Sequence, residues 1–184
     1  MLLRYYRLDN ACCEELMDSG DIVRFRKKEV IIESGYHNDN IYVIIDGIWR
    51  AFYDMDAKEK TMYFGIPGEA VFSSFSYFDS RSSLYSVESS NDSIGWCIGK
   101  REMHSLIDKS EEISHWFINI VGKIMLLTEQ SFIEMSTALA EDRYRIFARK
   151  MPYIMQNVPL KEIAAYLGVT PQSLSRIRAE MVRK

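Results

Sequence analysis

The chain has 184 residues, 47% of them hydrophobic and 27% charged, with a formal net charge of −3. That composition is ordinary for a folded soluble protein, and the length allows one good core with a second small unit attached. The longest apolar runs, such as residues 41–45, are far too short to cross a bilayer, and MLLRYYRLDN lacks the apolar stretch of a secretion signal; no membrane association and a cytoplasmic home are expected.

Cys12, Cys13 and Cys97 have no CxxC spacing and are too few for a cysteine-held iron–sulfur cluster, so they read as reduced structural thiols. His37, His104 and His115 stand apart from one another, without the clustering of a metalloenzyme. No metal site and no catalytic residue are expected. Charge is unevenly spread. Residues 1–140 carry 14 Lys/Arg and 22 Asp/Glu (−8), and residues 141–184 carry 9 and 4 (+5). An acidic body joined to a basic reading head is the reading.

In chain order, a small helix is predicted over Asn10 to Asp18, stopping at Gly20. The segments IYVII (41–45), IWRAFY (48–53), TMYFGI (61–66) and IGWCI (94–98) are rich in β-branched and aromatic residues and read as strands. Asp46-Gly47 between the first two predicts a tight hairpin, and Pro67-Gly68 a further turn. Short strands at this spacing argue for a sandwich or barrel.

A long helix follows. Ser110 is the expected N-cap, with Glu111 and Glu112 at the positive end of the helix dipole. Ile113, Phe117, Ile120, Ile124 and Leu127 recur at steps of 4, 3, 4 and 3, a coiled-coil seam that weakens at Ser131 and Glu134. Phe117, Ile120, Ile124 and Leu127 are the candidate dimer interface. In the next helix Tyr144, Phe147 and Met151 share a face, and Pro152 ends or kinks it.

The most specific pattern is LKEIAAYLGVTPQSLSRIR. Ala164 is small, Gly168 follows four residues later, and Ile163, Leu167, Val169, Leu174 and Ile177 are apolar: the spacing of a helix-turn-helix. Gly168 suits a turn at positive φ, Thr170 caps the second helix and Pro171 occupies its first position. With Leu174, Ile177 and Met181 inward, Thr170, Gln172, Ser173, Ser175, Arg176 and Arg178 are left as candidate DNA contacts. Gln can pair with adenine and Arg with guanine in the major groove, while serines suit phosphates.

EIAAYLGVTPQSLSRIR, together with ESGYHNDNIYVIIDGIWRAFY and PGEAVFSSFSYFDSRSSLYSVES, resembles the Crp/Fnr family of bacterial transcription regulators. The resemblance covers nearly the whole chain. It implies an α+β architecture: an antiparallel β-roll or jelly roll of the cyclic-nucleotide-binding type (1–109), a long dimerisation helix (110–136) and an all-α helix-turn-helix domain (137–184). It also implies a homodimer on near-palindromic double-stranded DNA, with RNA polymerase as a partner if the protein activates. By position, Gln172, Ser173 and Arg176 fall where family members contact bases.

The effector region departs from the family pattern. Cyclic-AMP-binding members carry Gly-Glu-Leu at the start of a short helix and then Arg-Ser-Ala; here the first triplet falls on Phe72-Ser73-Ser74. Arg81 is present in RSS, but an alignment anchored on Val87 puts Ser83 in the arginine's place. A glutamate for the ribose and an arginine for the cyclic phosphate each supply a charged hydrogen bond, so cAMP binding is not expected. Nine serines among aromatic residues between Ser73 and Ser90 leave two readings, a pocket for another small molecule or a surface loop over a filled barrel. Ser73, Ser74, Arg81, Ser82 and Ser83 are the candidate effector residues, with no cofactor expected and the effector unassigned. The rival readings are a cyclic-nucleotide-responsive regulator with a non-standard pocket and an enzyme on a cupin-like barrel, which would need clustered metal ligands or a nucleophile–base pair.

Overall fold

The computed structural model describes residues 8–56 and 58–183. Helix α1 (Asn10–Asp18) has Asp9 as its N-cap, accepting from the Cys12 amide at 2.7 Å. The strands follow: β1 (Asp21–Phe25), β2 (Val30–Ile32), β3 (Ile41–Asp46), β4 (Trp49–Met55), β5 (Lys58–Gly65) and β6 (Ala70–Val71). A short helix α2 (Ser74–Asp79) precedes β7 (Ser86–Ser89) and β8 (Ser93–Ile98). They form two antiparallel four-stranded sheets, ordered β1-β8-β3-β6 and β2-β7-β4-β5. This is the expected α+β roll.

The period-2 alternation of side chains explains how the sheets are covered. Along β3, Tyr42 and Ile44 turn inward to a core between the sheets, with Trp49, Ala51, Val71 and Val87. Ile41 and Val43 turn to a second core under the helices. With both faces buried, β3 reads as an unbroken apolar run instead of an alternating one. In β7 the same alternation sends Val87 to the interior and Glu88 to the outer face.

The hairpin expected at Asp46-Gly47 does not form. β3 pairs with β8 and β6, whereas β4 pairs with β5 and β7, so these two residues carry the chain from one sheet to the other. Gly47 has φ +95°, and a Cβ there would lie 2.4 Å from that of Ser93. The glycine signal marked a tight corner. Pro67-Gly68 does form the expected turn, with Gly68 at φ +88°.

After α3 (Lys100–Lys109), α4 (Glu111–Thr137) runs for 27 residues, about 40 Å. Ser110 caps it by accepting from the Ile113 amide, as the sequence predicts. α4 stops at Ala138, where ψ is 145°. α5 (Ala140–Lys150), α6 (Pro152–Asn157), α7 (Leu160–Leu167) and α8 (Pro171–Arg183) complete the chain. Pro152 ends α5 and occupies the first turn of α6. A third core joins Tyr144, Phe147, Ile154, Ile163, Ala164, Leu167 and Leu174 of these helices to Ile48 and Phe64 of the second sheet. The helical unit is therefore seated on the roll. Among the described residues no helix is long and apolar enough to cross a membrane.

Candidate nucleic-acid interface and effector domain

The turn between α7 and α8 is built by the residues that predicted it. Gly168 sits at φ +67° as the C-cap of α7, and the Val169 amide closes onto the Ala164 carbonyl at 3.0 Å. Ala164 and Leu174 are fully buried where the helices cross. The Ser173 amide donates to Thr170 Oγ1 at 3.1 Å, and the Thr170 hydroxyl donates to Ser173 Oγ at 3.0 Å. These two hydroxyls serve the cap first. Gln172, Ser175, Arg176 and Arg178 are exposed, while Ile177 and Met181 pack inward. Gln172 and Arg176 stand four residues apart on one exposed helix face. Arg176, at 77% side-chain exposure, lies 4.0 Å from Glu180, its one ion-pair contact among the described residues.

Arg143 locks the base of this unit. It donates from Nε to the Leu167 carbonyl at 3.1 Å and from Nη1 to the Ala138 carbonyl at 2.8 Å, satisfying carbonyls at the ends of α7 and α4. A cleft of about 120 Å³ lies at this elbow, lined by Leu127, Ser131, Met135, Phe147 and Tyr166.

Part of the seam assigned to α4 is used within the chain itself. Phe117 and Ile120 are buried in the core of their own roll, Ile124 packs against that core, and Leu127 lines the elbow cleft. A 4-3-4-3 repeat marks one buried face of a helix without saying what buries it. The free apolar face is the neighbouring one: Ile118, Met125 and Phe132 at steps of seven, flanked by Leu126 and Ile133, all more than half exposed.

The candidate effector residues differ in burial and in their partners. Ser73 is buried and caps α2, accepting from the Ser76 amide at 3.4 Å. Ser83 is buried and donates to the Tyr85 carbonyl at 2.7 Å. Ser74 and Ser82 are exposed. Arg81 turns outward, pairing with Asp79 at 2.5 Å, its guanidinium 4.6 Å from the centre of the Phe75 ring. The roll's interior is occupied by aromatic side chains. Phe25, Tyr42 and Trp49 meet edge to face, Tyr63 meets Tyr85 in the same way, and Trp49 Nε1 donates to Ser93 Oγ at 2.9 Å. Burial pushes the hydroxyl of Tyr63 well above the usual tyrosine range, and that of Tyr85 upward too.

Two features went unread in the sequence. Asp9, Cys12 and Glu112 bring possible ligand atoms within 4.8 Å of one another, but Asp9 caps α1 and its own amide donates to Glu112 at 3.2 Å, so these groups are engaged in joining α1 to α4. The second is a charge cluster on the outer face of the second sheet. Arg50, only 3% exposed, donates to Glu88 at 2.8 Å and to Glu59 at 2.6 Å, and Lys28 donates to Glu88 at 2.7 Å and to Glu162 of α7 at 2.6 Å. Arg50 and Glu88 sit inside strands, at positions the sequence alone would give to solvent. Burial opposes the charge on Lys28, but its bonds to Glu162 and Glu88 outweigh that and hold its pKa above the usual lysine value. Arg50's hydrogen bond holds Glu59 below the ordinary glutamate range.

Two packed sheets, a long helix and a helix-turn-helix are now in place. Residues 22–110 match the cyclic nucleotide-binding domain family. The roll carries that match, and the chain has the fold of Crp/Fnr-type regulators. Among solved structures, FixK2 from Bradyrhizobium japonicum superposes with a TM-score of 0.77 at 15% identity, covering 89% of this chain and 85% of that one. The c-di-GMP-responsive global regulator CLP of Xanthomonas campestris gives 0.74 at 14% identity, covering 95% and 92%. The catabolite activator protein of Thermus thermophilus gives 0.62 at 17%, covering 97% and 86%. No curated protein matches by sequence.

Proposed function

We propose that the chain is a sequence-specific, DNA-binding transcription regulator that acts as a homodimer in the cytoplasm. The observation that carries this reading is the α7–α8 unit: a capped, glycine-turned helix pair that leaves Gln172 and Arg176 exposed four residues apart on one helix face. The apolar stripe Ile118, Met125, Phe132 supports a parallel pairing of two α4 helices, which would set two α8 helices on one near-palindromic operator. RNA polymerase is a partner if the regulator activates. The filled interior and the outward Arg81 support a roll that does not take cAMP.

The test is selection of duplexes from a random-sequence pool by the full chain, followed by affinity at several salt concentrations. Enrichment of a near-palindrome, with affinity falling steeply as salt rises, is expected because phosphate contacts release counterions. No enriched duplex would overturn the reading. The domain match at residues 22–110 favours one second reading, a regulator responsive to a cyclic nucleotide through a non-standard site. The ligands to try are cAMP and, since the Xanthomonas relative responds to it, c-di-GMP.

A further inference from the structure

The charge cluster between the roll and α7 is unlike the surface ion pairs elsewhere in the chain. Its five side chains come from the segment after β1 (Lys28), from β4 (Arg50), β5 (Glu59), β7 (Glu88) and α7 (Glu162). Two cations face three carboxylates. Glu162 is 7% exposed; its Oε1 takes the Lys28 bond, while its Oε2 is buried without a hydrogen-bond partner, 3.9 Å from Arg50 Nε. The hydroxyl of Thr61 on β5 donates to the backbone carbonyl of the same Glu162 at 3.3 Å. Lys28 is held with φ +69°, a backbone state that lysine seldom adopts, and its amide is fixed to the Ser89 carbonyl at 2.7 Å.

Burial of this kind adds little net stability, because desolvation offsets most of the attraction. What it supplies is geometry. The apolar part of the interface, where Phe64 meets Phe147 and Tyr166, is held by attraction that is non-directional. The hold of a lysine and a guanidinium on a buried carboxylate is directional, since any displacement leaves charge unpaired. Glu162 lies in the first turn of α7, and α7 is tied to α8 by the Gly168 turn and the buried Ala164–Leu174 crossing.

We propose that Lys28, Arg50 and Glu162 are positioning residues for DNA reading: they lock α7 on the second sheet and so set the pose from which α8 meets a duplex. This rests on the DNA-binding reading above. In the locked pose the outer face of α8 is free, so the joint holds the head ready and does not mask it.

The experiment uses the full chain and its Glu162→Gln, Lys28→Met and double variants. Lys28 is half exposed, so its replacement leaves the roll's core untouched even if Glu162→Gln folds poorly. Two readings are taken: hydrogen exchange by segment, and affinity for a duplex selected by the wild type. Exchange should rise in α7, β4 and β5 and stay unchanged in β3 and β8. Affinity should fall about tenfold in each single variant, with no further loss in the double and the same salt dependence as wild type. Unchanged exchange in α7, or an equal rise in both sheets, would overturn the joint. Unchanged or increased affinity beside selective exchange would overturn its positioning role. If the wild type selects no duplex, the DNA-binding reading falls, and the exchange data still decide whether the joint holds α7 to the roll.

Discussion

Tyr85 donates its hydroxyl hydrogen to the carbonyl of Phe72 at 2.8 Å, tying the entry to β7 to the residue just before the α2 cap. In the sequence resemblance Phe72 takes the place of the glycine of the cAMP-binding pattern, and here its carbonyl is already held by an aromatic side chain. Millimolar cAMP is therefore expected to leave the melting temperature unchanged. A ligand at a hundred times its Kd would add about 2.7 kcal/mol, a shift of several degrees. Such a shift would show that the aromatic interior opens for a nucleotide.

Tyr77 is 1% exposed among Phe72, Phe78 and Phe117, and its hydroxyl has no hydrogen-bond partner. Tyr77→Phe should thus raise stability by about 1 kcal/mol in urea unfolding at pH 8, since an unsatisfied buried hydroxyl is removed.

The same burial pushes the Tyr77 pKa from 10.0 to about 12. Between those values the unfolded chain has lost this proton and the folded chain keeps it, so stability, fully present below pH 10, falls as pH rises towards 12. The wild type should lose stability over this window more steeply than Tyr77→Phe. Equal slopes would place the alkaline loss elsewhere.

Phe132→Glu should yield monomers by sedimentation and weaken duplex binding, because Phe132, at the C-terminal end of the free stripe on α4, is its most exposed member at 73%. Ile124→Glu should act differently. Ile124 packs on the roll's own core, so the change should lower the melting temperature of the roll by burying an unpaired charge. A Phe132→Glu protein that stayed dimeric would move the interface off this stripe.

Arg176→Ala should cost about 1–3 kcal/mol on the selected duplex and relax preference at one position in each half-site. Uniform weakening on all sequences would make Arg176 a phosphate contact.

Much of the fold is written in local chemistry. The bounds of α1, the Ser110 cap, the Pro152 break and the Ala164–Gly168–Thr170 turn each depend on residues within a few positions of one another, and each was legible. Features that depend on distant partners were not. Asp46-Gly47 signals a tight turn, but whether the following strand pairs with the preceding one is decided by β5, β7 and β8. The repeat from Ile113 to Leu127 marks an apolar face, yet only the roll's position shows that this face is used internally. Arg50 and Glu88 look solvent-facing until α7 covers them.

Strand β7 puts Val87 in the aromatic interior and Glu88 in the contact with Lys28 and Arg50. The filled interior and the charged joint on α7 therefore begin from consecutive residues, about 3.3 Å apart along the strand. Repacking beside Val87 would thus lie one peptide unit from the Glu88 contacts with Lys28 and Arg50.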